Sequence, residues 1–193
     1  GKLMTMKVLY EKGSQRLLGA QIVGHEGVDK RIDVLATAMQ AGLPVTALKD
    51  LDLAYAPPYA SAKDPVNLVG FMAENLEQGV VKQFHWEDVA GLPRDGSVTL
   101  LDARTPGEYS GGCAEGFVNV PLDELRDHLG EIAPGKPVYV MCQSGLRSYL
   151  ACRILAQDGY DCYNFSGGYR FYESVLLDRW TRQNAYPCGV ERP

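Results

Sequence analysis

The sequence predicts an α/β protein in two parts, a mostly parallel sheet with helices on both faces preceded by a smaller α+β unit. Three observations carry this. Beyond residue 79, short apolar strands alternate with helical segments, the rhythm of successive βα units. Two of those strands, 98–101 and 138–141, are continuous apolar runs, as expected of strands covered on both faces. Before residue 79 the chain instead offers two strands around a turn and then two longer helices. The expected division is 1–79 and 80–193.

In the first part, 6–10 and 17–23 are apolar strands joined by the turn-rich Glu11-Lys12-Gly13-Ser14-Gln15, and together they read as a hairpin. Val28, Ile32, Leu35, Ala36 and Met39 recur at helical spacing, and Gly42-Leu43-Pro44 ends that helix. A short helix is expected over 46–51. The two prolines of Tyr55-Ala56-Pro57-Pro58-Tyr59 exclude a helix interior. A second long helix begins at Asp64-Pro65, with Asp64 as N-cap and Pro65 at the first helical position, and runs to Glu77. So few elements make a thin core, and the apolar helix faces call for a partner surface.

In the second part the order is strand 98–101, helix 106–110, strand 117–120, helix 122–129, strand 138–141, helix 147–157, strand 162–165 and helix 169–176. The tail from Thr181 to Pro193 has no periodicity.

The composition narrows the function. Hydrophobic residues make up 46% and charged residues 22%, as in ordinary globular proteins. A net charge of −5 argues against non-specific nucleic-acid binding, which leaves small molecules and other proteins as partners. No apolar run reaches the roughly 18–20 residues of a membrane helix, and the first residues lack the apolar stretch of a secretory signal. Five cysteines, an odd number and none in a CxxC pair, favour reduced thiols in the cytoplasm over disulfides or structural zinc. His25, His85 and His128 are too scattered for a metal site, and Trp86 and Trp180 read as packing residues.

The most informative stretch is Val138-Tyr139-Val140-Met141-Cys142-Gln143-Ser144-Gly145-Leu146-Arg147-Ser148. An apolar strand delivers a cysteine to its C-terminal end, where ligands bind in open α/β sheets. A short loop with one glycine leads into a helix. Its backbone N–H groups, with the helix dipole, form an anion cradle that favours the nucleophilic thiolate. Arg147 adds a two-pronged donor for an anionic substrate. A free cysteine is most often a small buried hydrophobe; the order strand, cysteine, glycine, arginine favours a nucleophile instead.

Cys142-Gln143-Ser144-Gly145-Leu146-Arg147-Ser148 resembles the active-site loop of the rhodanese family, whose six-residue form suits sulfur. Related phosphatases usually carry one residue more and a histidine where this chain has Met141. The likeness extends to Leu100-Leu101-Asp102-Ala103-Arg104-Thr105-Pro106-Gly107-Glu108-Tyr109, to Glu115-Gly116-Phe117-Val118-Asn119-Val120-Pro121-Leu122, and to Gly159–Gly168, covering nearly all of 83–177. It implies a rhodanese-like domain in which Cys142 and Arg147 are catalytic and Gln143, Ser144, Gly145, Leu146 and Ser148 form the cradle. Asp102 and Arg104 shape the site. The family commonly has histidine where this chain has Cys113, which is either a drifted structural position or a second, resolving thiol. The implied chemistry is double displacement through a Cys142 persulfide, drawn from thiosulfate, a polysulfide or a low-molecular-weight persulfide and passed to a thiol or cyanide, with no metal and no cofactor bound by this chain.

Leu17-Leu18-Gly19-Ala20-Gln21-Ile22-Val23-Gly24, with Val28-Asp29-Lys30-Arg31-Ile32-Asp33 and the run Leu53–Asn67, resembles the dimerisation domain of flavin-dependent pyridine nucleotide-disulfide oxidoreductases. Within that family it is similar to the coenzyme A-disulfide reductase and NADH oxidase branch, some members of which carry a rhodanese domain next in order. No GxGxxG fingerprint occurs in this sequence. The resemblance therefore implies the C-terminal portion of a longer homodimeric enzyme using FAD, NAD(P)H and coenzyme A. In such an enzyme Tyr55, Tyr59 and Lys63 help form a coenzyme A-disulfide site, although a rigid structural turn explains the same Tyr-Ala-Pro-Pro-Tyr segment. Two further functions compete with sulfur transfer: an assembly and recognition module with an idle rhodanese domain, and phosphatase or arsenate-reductase chemistry.

Overall fold

The computed structural model of the chain describes residues 3–58 and 60–184. The chain divides into two compact units between Val80 and Val81.

In the first unit, β1 (Met4–Tyr10) and β2 (Leu17–Gly24) pair antiparallel, and α1 (Val28–Gln40) and α2 (Pro65–Glu77) follow, separated by a 3₁₀ turn, Val45–Asp50. The segment expected as a short helix is thus 3₁₀. Leu35 and Ala38 of α1, Val45 and Leu48 of the turn, and Val66 and Ala73 of α2 close a small core with Leu17 of β2. The start of α2 follows the expected chemistry. The Asp64 carboxylate accepts the Val66 N–H at 3.1 Å while Asn67 Oδ1 accepts the Asp64 N–H at 3.0 Å. Buried Asn67 spends its amide donors on the carbonyls of Leu48 and Leu51, and Arg31 meets Asp64 at 2.9 Å. The cap therefore also fastens the 3₁₀ turn and α1 to α2.

The second unit is a five-stranded parallel sheet in the order β3-β7-β6-β4-β5, with β3 Lys82–Phe84, β4 Thr99–Asp102, β5 Val118–Asn119, β6 Val138–Met141 and β7 Cys162–Phe165. Its helices are α3 (Trp86–Val89), α4 (Pro106–Ser110), α5 (Leu146–Gln157) and α6 (Gly168–Asn184). Alternation along β6 divides the core. Val138 and Val140 pack with Ala151, Cys152 and Leu155 of α5 on one face, while Met141 packs with Phe84, Val89, Phe117 and Phe165 on the other. Both faces are covered, as the continuous apolar runs require.

Three differences from the sequence reading stand out. The helix expected over 122–129 is instead a succession of tight turns with 3₁₀ pieces at Leu122–Glu124 and Leu129–Glu131. Bonds such as Leu125 N–H to Leu122 O and Ile132 N–H to Leu129 O repeat every three residues, and this spacing still brings Leu125 and Ile132 into the core. β3 and α3 were not anticipated. The last helix runs on to Asn184, past the expected end at 176 and into the expected tail.

Candidate active site

The sheet's connections diverge between β4 and β6. After β4 the chain passes through α4 to β5 at one edge; after β6 it passes through α5 to β7 toward the other. The C-terminal ends of these two adjacent strands form the crevice where open α/β sheets bind ligands. Asp102 ends β4 in register with Met141, which ends β6, and Cys142 follows directly.

Because side chains alternate along a strand, Cys142 continues the face of Val138 and Val140 and its sulfur lies under the start of α5. Cys142 is fully buried. Its Sγ accepts the backbone N–H of Gly145 at 3.1 Å and the hydroxyl of buried Ser148 at 3.2 Å. The Ser148 oxygen is also 3.2 Å from the Gly145 carbonyl, so its single proton is contested between oxygen and sulfur; a charged sulfur takes it. Gly145 caps α5 at φ 103°, a left-handed conformation that folds the loop back over the sulfur and that other residues adopt only under strain.

The far side of the loop is held by α6. The Tyr169 N–H donates to the Cys142 carbonyl at 2.7 Å and the Arg170 N–H to the Gln143 carbonyl at 3.3 Å. Free N–H groups at the α6 N-terminus thus hold the loop's carbonyls, leaving the Gly145 N–H for the sulfur. Gly168 permits this approach: a Cβ there would lie 2.5 Å from Gln143 and Ser144 backbone atoms.

Asp102 and Arg104 are both buried and paired. The carboxylate accepts from the Arg104 backbone N–H and Nε at 3.0 Å and from Nη2 at 2.7 Å. The remaining guanidinium donors go to the carbonyls of Gly112 and Glu108 and to Gln143 Oε1, and the guanidinium carbon lies 4.0 Å from the Tyr169 ring centroid. Arg104 therefore ties β4, the segment after α4, the cysteine loop and α6 into one frame. Full hydrogen bonding allows such a charge to be buried.

Arg147 is engaged differently from the sequence expectation. Its fork binds Glu108 through two bonds of 2.7 Å, and the pair is about one-third exposed. The guanidinium holds the Glu108 carboxyl at about 2, well below its ordinary 4.5, and burial only partly opposes this. An anionic substrate has to compete with Glu108 for these donors. Ser144 and Leu146 are exposed and Gln143 is half-buried. Cys113 is exposed, beside the Tyr109 hydroxyl, whose pKa rises through burial and then through that thiol. Tyr55 and Lys63 lie in the first unit, both exposed, with Lys63 Nζ 5.1 Å from the Phe71 ring centroid. Tyr59 lies outside the described residues, as does Cys188. Among the described residues no cluster of His, Cys, Asp and Glu is suited to a metal ion, and no helix is long and apolar enough to cross a membrane.

Sequence reasoning assigned no role to Glu108, Gly168 or Tyr169. The Thr105-x-x-Glu108 capping box, which forms as such, was a signal for the first, and the double glycine Gly167-Gly168 for the second.

Residues 85–174 match the family model of the rhodanese-like domain, and residues 2–65 that of the pyridine nucleotide-disulphide oxidoreductase dimerisation domain. The chain thus joins an oxidoreductase dimerisation domain to a rhodanese-like domain. It is 46% identical over 69 residues to the coenzyme A disulfide reductase of Staphylococcus aureus (strain bovine RF122 / ET3-1), a match covering 36% of this chain and 16% of that protein. It is similar to the crystal structure of reduced Bacillus anthracis CoADR-RHD, with a TM-score of 0.88 and 45% identity over 92% of this chain and 32% of that one. It also resembles a NAD-dependent persulfide reductase from A. fulgidus, with a TM-score of 0.75 and 40% identity over 87% of this chain and 30% of that one. The chain spans no more than a third of the length of these relatives.

Proposed function

We propose that this chain provides the sulfurtransferase portion of a larger coenzyme A-disulfide or persulfide reductase, with Cys142 as the sulfur carrier. The observation that supports this reading best is the sulfur of Cys142 at the end of a central strand, receiving the Gly145 N–H and the Ser148 hydroxyl. In the proposed reaction the Cys142 thiolate attacks the outer sulfur of thiosulfate, a polysulfide or a low-molecular-weight persulfide. The donor's S–S bond breaks, and sulfite or a thiolate departs with the electron pair. The persulfide left on Cys142 bears its charge within reach of the loop's donors. An acceptor thiol then attacks that outer sulfur and restores the cysteine. Cys142 is buried, so transfer requires neighbouring side chains to yield.

FAD and NAD(P)H belong, in this reading, to portions of a longer polypeptide, because this sequence has no glycine-rich strand–loop–helix to cradle their phosphates. The dimerisation domain supports a homodimer. Tyr55, Tyr59 and Lys63 are assigned to a coenzyme A-disulfide site by resemblance; Cys113, where the family commonly has histidine, is either a drifted structural position or a second thiol that accepts sulfur from Cys142. The setting is the cytoplasm, where thiols stay reduced.

A second reading makes the chain an assembly module with an idle rhodanese domain. The burial of Cys142 and the engagement of Arg147 by Glu108 favour it. Incubating the reduced chain with thiosulfate, or with coenzyme A persulfide, and recording its intact mass beside Cys142→Ser separates the two. One added sulfur on the parent but not the variant supports transfer. A folded parent that takes up none from either donor leaves the idle module.

A further inference from the structure

On the buried face of α5 that also covers Cys142, two other cysteines meet. Cys152 lies one helical turn beyond Ser148, and Cys162 is the first residue of β7. The Cys162 thiol donates to the Cys152 carbonyl at 3.1 Å, and both residues pack in the same apolar cluster. Both are free. Cys152 is buried, whereas Cys162 is only half-buried. Neither has a part in the sulfur-transfer reading.

We propose that Cys152 and Cys162 form an internal redox dithiol, which a small hydroperoxide oxidises to a disulfide joining α5 to β7. Their places in the fold order the steps. Cys162 is the thiol that solvent reaches, and its pKa is lowered first by its hydrogen bond with the Cys152 thiol and then by Arg153 and Lys82, against burial and the neighbouring Asp161. Cys152 holds its proton more firmly, through its hydrogen bond with the Cys162 thiol and through burial. The Cys162 thiolate attacks one peroxide oxygen, the O–O bond breaks, and the leaving hydroxide is protonated to water, leaving a sulfenic acid. The Cys152 sulfur then attacks the Cys162 sulfur. The S–O bond breaks and the S–S bond forms, and the departing hydroxide takes the Cys152 proton as a second molecule of water. Two thiols lose two electrons in all and one peroxide gains them. The Cys162 sulfur already lies against the Cys152 backbone, so closure needs only side-chain rotation and outruns further oxidation. Cys113 is exposed beside the Tyr109 hydroxyl and outside this apolar cluster, so it lacks this advantage.

Brief treatment of the full chain with hydrogen peroxide, alkylation of remaining thiols and tryptic mapping without reductant tests this. Cleavage after Arg153 places the two cysteines in separate peptides. The expected product is a reductant-sensitive link between those peptides, formed equally in parent and Cys142→Ser, and absent in Cys162→Ala, which removes only a half-buried sulfur. In that variant Cys152 remains alkylatable under denaturing conditions. Recovery of both cysteines as free thiols while Cys113 is oxidised would overturn the proposal. So would a sulfinic acid on Cys162 without the link, or a link from either residue to Cys142.

Discussion

Replacing Ser148 by alanine tests the cradle at its most exposed assumption, that the sulfur's charge rests on two identified donors. The substitution deletes one oxygen from a buried site and leaves the Gly145 N–H at 3.1 Å in place. The Gly145 carbonyl keeps a partner, because it also accepts the Tyr149 N–H at 3.1 Å. The main loss is therefore one hydrogen bond to a charged sulfur, worth about 1.5–3 kcal/mol. That converts to a fall of about 10- to 150-fold in the rate at which Cys142 reacts. The assay is the second-order rate of sulfur loading from thiosulfate at fixed pH, followed by intact mass, with alkylation by iodoacetamide as a second probe. Burial of the thiol limits access equally in both proteins and cancels in the ratio. Rates within twofold of the parent for both reagents, in a variant that unfolds at the parent's temperature, would refute the claim that Ser148 stabilises the thiolate.

Three other changes probe the frame around the loop. Gly168→Ala places a Cβ 2.5 Å from the Gln143–Ser144 backbone at φ 73°; the backbone strain alone is about 1–2 kcal/mol, and the displaced loop should lower loading about 100-fold, read by denaturation and mass. Asp102→Asn leaves buried Arg104 without its counter-charge and should destabilise the second unit by about 3 kcal/mol in urea. Glu108→Gln frees the Arg147 fork, so loading from thiosulfate should rise relative to a neutral persulfide donor. Because the folded Glu108 carboxyl lies at about 2 against an ordinary 4.5, the pair's stabilisation is present above 4.5 and is lost as pH falls through 2. The parent's advantage over Glu108→Gln should be about 0.5–1 kcal/mol at neutral pH, given partial exposure, and should shrink across that window in acid denaturation.

The parts of the fold legible in the sequence are those whose signals are local. Asp64-Pro65 and Thr105-Pro106 announce helix starts because capping is settled within four residues, and both cap as such. The strand leading to Cys142 reads clearly because a buried parallel strand is apolar throughout. β3 was missed because three residues carry no periodicity, and it is a strand only through its pairing with β7, some eighty residues later. The 122–129 segment has helical spacing of leucines, yet tertiary packing of Leu125 and Ile132 is met equally by turns of three. Arg147 was expected to offer its fork to an anion, but its partner is Glu108, 39 residues upstream, and no pattern in one chain reveals that pairing.

That pairing bears on which chemistry the crevice suits. A transferred phosphoryl group brings three equatorial oxygens, each needing a donor as charge develops. Here the Cys142 and Gln143 carbonyls are held by α6, and the Arg147 fork, which a phosphoryl group would need for two of its oxygens, is taken by Glu108. Among the described residues the donors at the sulfur are the Gly145 N–H and the Ser148 hydroxyl, fewer than the three oxygens of a phosphoryl group call for. The purified chain should therefore leave a chromogenic phosphate ester intact under conditions in which it takes sulfur from thiosulfate. Hydrolysis that disappears in Cys142→Ser would reverse this reasoning, since it would mean that Glu108 releases Arg147 to a phosphoryl group and that the loop opens enough to surround it.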